Sequence, residues 1–280
     1  MEPSPRERFA ALARSPDSEI DVARGALLVA AEAYPHLDIT APLIELDDLA
    51  RAATPALHGA STPLARMQAL LDFIAGEGFH GNRDDYYDPR NSFLNEVLAR
   101  RTGIPITLAI VCTEVARRIH VPVYGVSFPG HFLVKYVAAE AERAGGEIVA
   151  DPFSGSTLSD DDVRERFKLA MGPAARFDAR WLRVATPREI LVRLLGNLKQ
   201  IYVQRKELEK ALGCCDRILM LSPDAPLELR DRGLVYQELE CFGAALCDLE
   251  RFLALAERDP SADAIRDTLV ELRAKAARVN

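Results

Sequence analysis

His131 and Asp151 are the residues of this sequence best placed to do chemistry. His131 falls within the apolar stretch VSFPGHFLVKY, residues 126–136, and Asp151 closes the run IVAD twenty residues further on. A histidine on one strand and an aspartate ending its neighbour, both behind a helix, make two parts of a thiol-type triad. In such a triad a helix N-terminus holds a cysteine as thiolate, the imidazole moves the proton and the carboxylate holds the imidazole. Plainer roles are also open. His131 can be a structural histidine bonded to Asp151 or to a carbonyl, and Asp151 can cap the turn that Pro152 begins. Of the five cysteines (Cys112, Cys214, Cys215, Cys241 and Cys247), only Cys112 precedes the histidine. It sits on the apolar face of a helix, where free cysteine ordinarily fills core.

The elements that must position these groups follow from apolar periodicity. Residues 15–80 read as helices, in IDVARGALLVAAEAY, PLIELDDLARAA and TPLARMQALLDFIAGEG. GNRDDYYDPR, residues 81–90, is a polar, aromatic loop. Tyr86, Tyr87 and Asn91 either rim a cleft there or serve as solvated loop and helix cap. NSFLNEVLARRTG is a short helix, capped by Asn91 or Ser92 and ending near Gly103. Pro105 stands where a helix starts, and Leu108, Cys112, Val115 and Ile119 make its apolar face. VPVYGVSF and HFLVKYV are strands divided by Pro129-Gly130, and AGGEIVADPFSG supplies a turn, a third strand and an exit at Asp151-Pro152. Helices followed by consecutive strands make an α+β half with an antiparallel sheet.

A short helix follows Ser159, then the connector MGPAARFDARWLRVA, and TPRE at residues 186–189 has the form of a capping box. Beyond it the chain is helical and repeats. Tyr202 matches Tyr236, Ala211 matches Ala245, Leu212 matches Leu246, Leu219 matches Leu253 and Leu221 matches Leu255, each 34 residues apart. That period is the tetratricopeptide repeat's, and residues 262–278 suit a capping helix. The expected domains are an α+β domain over 1–185 (lead-in 15–80, core 86–156, connector 157–185) and an all-α array of two repeats and a cap over 186–280. By repeat position Gln200, Gln204 and Arg230 face the array's groove.

Bulk composition narrows the function. The net charge is −7, with 15 basic to 16 acidic residues from 186 onward and 20 to 26 before it. No basic stripe stands out for nucleic acid or an anionic membrane. GALLVAA, residues 25–31, is too short to span a bilayer, and acidic residues precede it where a signal peptide carries basic ones. An odd number of cysteines without a CxxC pair points to reduced thiols in a cytoplasm. The histidines have no metal-ligand spacing, so neither metal nor cofactor is implied.

PITLAIVCTEVARRIHVPVYGV, GHFLVKY and VADPFSG together resemble the transglutaminase-like superfamily, whose core is papain-like. More narrowly, YYDPRNSFLNEVLARRTGIPITLA, FPGHFL and DPFSG, joined to tetratricopeptide repeats, resemble the bacterial Sir B family. The resemblance implies triad positions at His131 and Asp151 and puts the cysteine position on Pro105, which has no nucleophile. Thr107 is the nearest hydroxyl, and Cys112 lies seven residues on, about 10 Å along the helix.

Two functions follow as expectations. One is a non-catalytic interaction or regulatory protein whose repeats bind a protein or peptide partner, with no nucleic acid or membrane involved. The other is a hydrolase or acyltransferase on amide bonds, using His131 and Asp151 with an unidentified nucleophile or an activated water.

Overall fold

The computed structural model describes residues 3–138 and 147–279. The chain divides into two compact units, Met1–Leu194 and Leu195–Asn280, and the division falls within one helix, Pro187–Gln204.

The first unit is built around a helix that is apolar almost all the way round. This is α6, Pro105–Arg118; every residue from Pro105 to Ala116 except Thr113 is buried. A helix without a polar face must be covered on all sides. Helices α2 (Val22–Ala33), α3 (Thr40–His58), α4 (Pro63–Gly76) and α5 (Leu94–Arg100) pack against it, as do strands β3 (Val123–Val126) and β4 (Leu133–Tyr136). A helix that the sequence reading lacks, α1 (Pro5–Ala13), precedes them and starts at a Ser4–Glu7 capping box. α3 also runs past its expected end to His58 and buries Leu57.

The sheet is antiparallel, in the order β3-β4-β5-β6, with β5 at Ile148–Asp151 and β6 at Ser156–Leu158. Register places Val134 opposite Ala150 and Asp151 opposite Ser156. β6 is an addition to the three strands expected, and the turn expected at residues 144–146 lies outside the described residues. A small parallel pair, β1 (His80–Gly81) and β2 (Thr102–Gly103), ties the start of the polar loop to the entry of α6. α7 (Asp160–Met171) starts at a Ser159–Asp162 capping box and presents Val163 and Phe167 to an apolar cluster with Phe128 and Leu133. The expected TPRE cap forms: Glu189 N–H donates to Thr186 Oγ1 at 3.3 Å, and Thr186 N–H donates to Glu189 Oε2 at 2.9 Å. It opens α8, Pro187–Gln204.

The second unit continues with α9 (Leu208–Leu221), α10 (Pro226–Glu238), α11 (Phe242–Leu255) and α12 (Ala262–Val279). The 34-residue period is visible in the backbone. Lys206 and Glu240, one period apart, both take the left-handed conformation at φ 57 between paired helices. Gly233 lets α10 approach α11, since a Cβ there would come 2.7 Å from Leu249. Leu229, Ala245, Leu249, Phe252, Ile265, Leu269 and Leu272 form the buried core. Lys199 crosses from α8 to α10 and donates to Glu228 at 2.7 Å and Asp231 at 2.8 Å.

Candidate functional site

His131 and Asp151 meet as the sequence suggests. His131 Nε2 lies 2.9 Å from Asp151 Oδ1. One expectation is corrected: His131 is in the turn before β4 and not on the strand. Pro129 and Gly130, the latter at φ +69, bend the chain there, so the imidazole approaches the end of β5 from a turn. Asp151 ends β5 and is 1% exposed. Its Oδ1 also accepts from Phe153 N–H at 2.9 Å, while Oδ2 accepts from Ser154 Oγ at 2.9 Å and from the Arg166 guanidinium at 2.9 Å. Burial pushes this carboxyl up, but the bond from His131 and that ring's charge, the bond from Ser154 and the charge on Arg166 outweigh it and hold it below its ordinary value. The His131 side chain is 21% exposed, and its Nδ1 has no hydrogen-bond partner among the described residues.

The start of α6 holds no nucleophile in reach of solvent. Pro105 is its first residue and is buried. Thr107 is fully buried, and its Oγ1 donates to the Asn91 carbonyl at 2.8 Å and accepts from Ile104 N–H at 3.0 Å. Its hydroxyl is thus spent on fixing the helix entry. Cys112 lies wholly inside the helix packing, and burial pushes its thiol up to about 12. A thiol held so far above its ordinary value is inert.

Asn91 neither rims a cleft nor caps a helix. It is fully buried in a short 3-10 turn, Pro89–Ser92, and its Nδ2 donates to the Asp85 carbonyl at 2.7 Å. The loop folds back on itself and needs an internal donor for its carbonyls, which is why Asn91 points inward. α5 begins after Phe93 and is capped at its end by Arg101, in the left-handed conformation, ahead of Gly103. Tyr86 and Tyr87 are exposed at the loop tip. Tyr86 packs edge-on to Phe153 at 6.3 Å between centroids, and Phe153 in turn to His131 at 6.0 Å. Arg83 lies over the Phe153 ring at 5.8 Å. Phe153 also covers Gly81, where an added Cβ would come 2.5 Å from the ring.

Phe153, Ser154 and Arg166 are site residues that the sequence reading missed. An aspartate followed by residues whose N–H and O–H fold back to it is an Asx-type turn, so DPFSG carried a signal for Phe153 and Ser154. Arg166 is fifteen residues on, in a helix, and nothing in its spacing points to Asp151. Among the described residues no group of three metal-ligating side chains converges, and no helix is long and apolar enough to cross a membrane.

Of the groove residues, Gln200 and Gln204 are exposed on α8. Arg230 is engaged within the unit: it pairs with Asp231 at 2.8 Å and reaches Ser261 Oγ, ahead of α12, at 3.3 Å.

Comparison with known proteins supports the fold. Residues 41–196 match the model of the transglutaminase-like superfamily, and residues 198–269 match that of the tetratricopeptide repeat. A UPF0162 protein of Xylella fastidiosa is 39% identical over 270 residues, 93% of each chain. A UPF0162 protein of Pseudomonas aeruginosa is 36% identical over 236 residues, 84% of each chain. Protein SirB1 of Salmonella typhimurium is 30% identical over 224 residues, 79% of this chain and 82% of that one.

Proposed function

This chain belongs to the transglutaminase-like superfamily, among the repeat-bearing relatives of SirB1, and from that premise we propose that it is a non-catalytic, partner-binding member. The observation that carries the reading is the start of α6. The family resemblance puts the nucleophile's position on Pro105, and the one nearby thiol, Cys112, is sealed in the helix core with its pKa raised. The transglutaminase-like domain then serves as scaffold, with His131 and Asp151 clasping the β3–β4 turn to the end of β5. The repeats supply a groove for a protein or peptide, the general use of such arrays, with Gln200 and Gln204 as exposed groove positions. Five free cysteines support a reducing compartment such as the cytoplasm.

A second reading, a hydrolase or acyltransferase on amide bonds, has one observation in its favour. The imidazole is backed by a buried carboxylate and has a free, partly exposed Nδ1, as a base acting through water requires. Incubation of the full chain with a glutamine-containing peptide and a primary amine, followed by mass spectrometry and ammonia release, separates the two. The non-catalytic reading expects no turnover above buffer in the wild type or in His131→Ala. Turnover that His131→Ala abolishes overturns it in favour of the enzyme.

A further inference from the structure

Strand β3 is at the edge of its sheet, bonded to β4 on one side and bordered on the other by an open cavity of about 880 Å3. The cavity lies within the first unit, between the 3-10 turn Asp17–Glu19, the last turns of α6, β3 itself and the entry to α8. Backbone accounting along β3 shows what this edge offers. Val137 N–H donates to the Pro122 carbonyl at 2.9 Å. By antiparallel alternation residues 122, 124 and 126 then turn their backbone groups toward β4, and Val123 and Gly125 turn theirs toward the cavity. Two of those four outward groups are taken. Val123 N–H donates to the Val121 carbonyl at 2.8 Å, and the Gly125 carbonyl accepts from Ala185 N–H at 2.8 Å. The Val123 carbonyl and the Gly125 N–H have no hydrogen-bond partner among the described residues, although both residues are buried.

This pattern dictates a direction. In a parallel ladder an incoming residue donates its N–H to the carbonyl one residue before its partner, and its carbonyl accepts the N–H one residue after. A single residue laid beside Tyr124 therefore uses the two open groups and no others. An antiparallel strand would bond to Val123 and Gly125 in reciprocal pairs, and the second member of each pair is already committed. Two-fold pairing of β3 with its copy is antiparallel, so a second copy of this chain does not match the edge. Ala185 stands where the incoming chain's next bond would form, which ends the ladder after one residue. Charge and shape select the side chain. Asp17 is bound to Arg188, and Glu114 to Arg117 and Arg118, which leaves Glu19 and Asp21 as lining carboxylates without an ion pair among the described residues. Tyr124 is 46% exposed, and a residue paired with it in parallel projects on the same side, beside the ring.

We propose that the β3 edge binds an extended segment of a partner protein in parallel, gripped at one Lys or Arg residue. That residue's backbone joins the Val123 carbonyl and the Gly125 N–H, and its cation lies by the Tyr124 ring and the Glu19 and Asp21 carboxylates. The contact uses neither the repeat groove nor His131, and it stands under either reading of function.

Amide hydrogen exchange read by NMR in the full chain tests this. In the free protein Gly125 N–H should exchange at least ~10-fold faster than Tyr124 and Val126 N–H, which face β4. The probe is the capped pentapeptide acetyl-Thr-Val-Arg-Val-Thr-amide at about 5 mM, against a Kd of ~1 mM for one gripped residue. It should slow exchange at Gly125 about sixfold and leave Tyr124 N–H unchanged. The same peptide with Glu for Arg should have no effect. Glu19→Gln and Tyr124→Ser, both at exposed positions, should each weaken the Arg peptide about threefold. A Gly125 amide as protected as its neighbours in the free chain overturns the proposal, because the edge is then closed. Protection that rises with protein concentration overturns it in favour of a second copy. Equal effects of the two peptides, or no effect of either, remove the basic segment as occupant.

Discussion

Thr107 Oγ1 donates to the carbonyl of Asn91, 2.8 Å away and sixteen residues earlier in the chain. That one bond joins the polar loop to the first turn of α6, and the same hydroxyl accepts from Ile104 N–H at 3.0 Å. The helix start that would present a nucleophile in a thiol enzyme is here an internal joint. Thr107→Val keeps the shape and removes the hydroxyl, leaving a buried carbonyl and a buried N–H unpaired. It should cost about 2 kcal/mol in denaturant unfolding and lower the melting temperature by ~5 °C. Stability equal to the wild type would contradict the joint.

Gly81 lies under the Phe153 ring, with no room for a Cβ. Gly81→Ala should destabilise by about 1–3 kcal/mol through overpacking. Most of that loss should disappear when Phe153→Ala is the background, because the clashing ring is gone. A double-mutant cycle gives the coupling; additive effects would mean that the contact is not the cause.

Burial raises the Asp151 pKa in the folded state, but the bond and charge of His131, the bond from Ser154 and the Arg166 charge outweigh it and leave the pKa depressed. The sign follows from linkage. A carboxyl with a folded pKa below its unfolded value of about 3.9 contributes stability that is present above that value and is lost as pH falls through the folded one. Urea unfolding from pH 5 to pH 3 should therefore narrow the stability gap between wild type and Asp151→Asn. A gap that stays constant, or widens, toward pH 3 would refute the assignment.

In the repeats, Lys199 is held between Glu228 and Asp231, and Glu228 is 7% exposed. Removing the cation leaves that carboxylate unpaired, so Lys199→Ala should cost about 3 kcal/mol. Gln204→Ala, on an exposed position, should leave the melting curve unchanged within error. The converse ranking would contradict the packing of α8 on α10.

Partner contact through the groove has its own test. A benzophenone side chain placed at Gln200 or Gln204 should give a discrete covalent adduct in cells of the source organism. The same group at Val270, 66% exposed on α12, should not. Equal adducts from all three positions would remove the groove as binding face.

Much of this architecture is legible in the sequence because its signals are local or periodic. Tyr202 and Tyr236 fix the repeat register, Thr186 and Glu189 mark the start of α8, and the apolar run beginning at Pro105 predicts a buried helix. The His131–Asp151 contact is also readable, since the antiparallel pairing of β4 with β5 brings the turn before β4 to the end of β5. What escapes the sequence depends on distant partners. Asn91 looks like a cap but turns inward to satisfy loop carbonyls, and Arg166 reaches Asp151 only because α7 packs back along the sheet. β1 and β2 are two residues each, too short for an alternating pattern.

Site-resolved alkylation of the five cysteines in the native protein, from about pH 5.5 to 8.5, bears most directly on whether this site can work as a thiol enzyme. Cys241 and Cys247 are exposed and should be labelled. Cys112, buried and raised to about 12, should stay unmodified across the whole range. Labelling of Cys112 alone at the acidic end would show a reactive thiolate in this helix and contradict the non-catalytic reading.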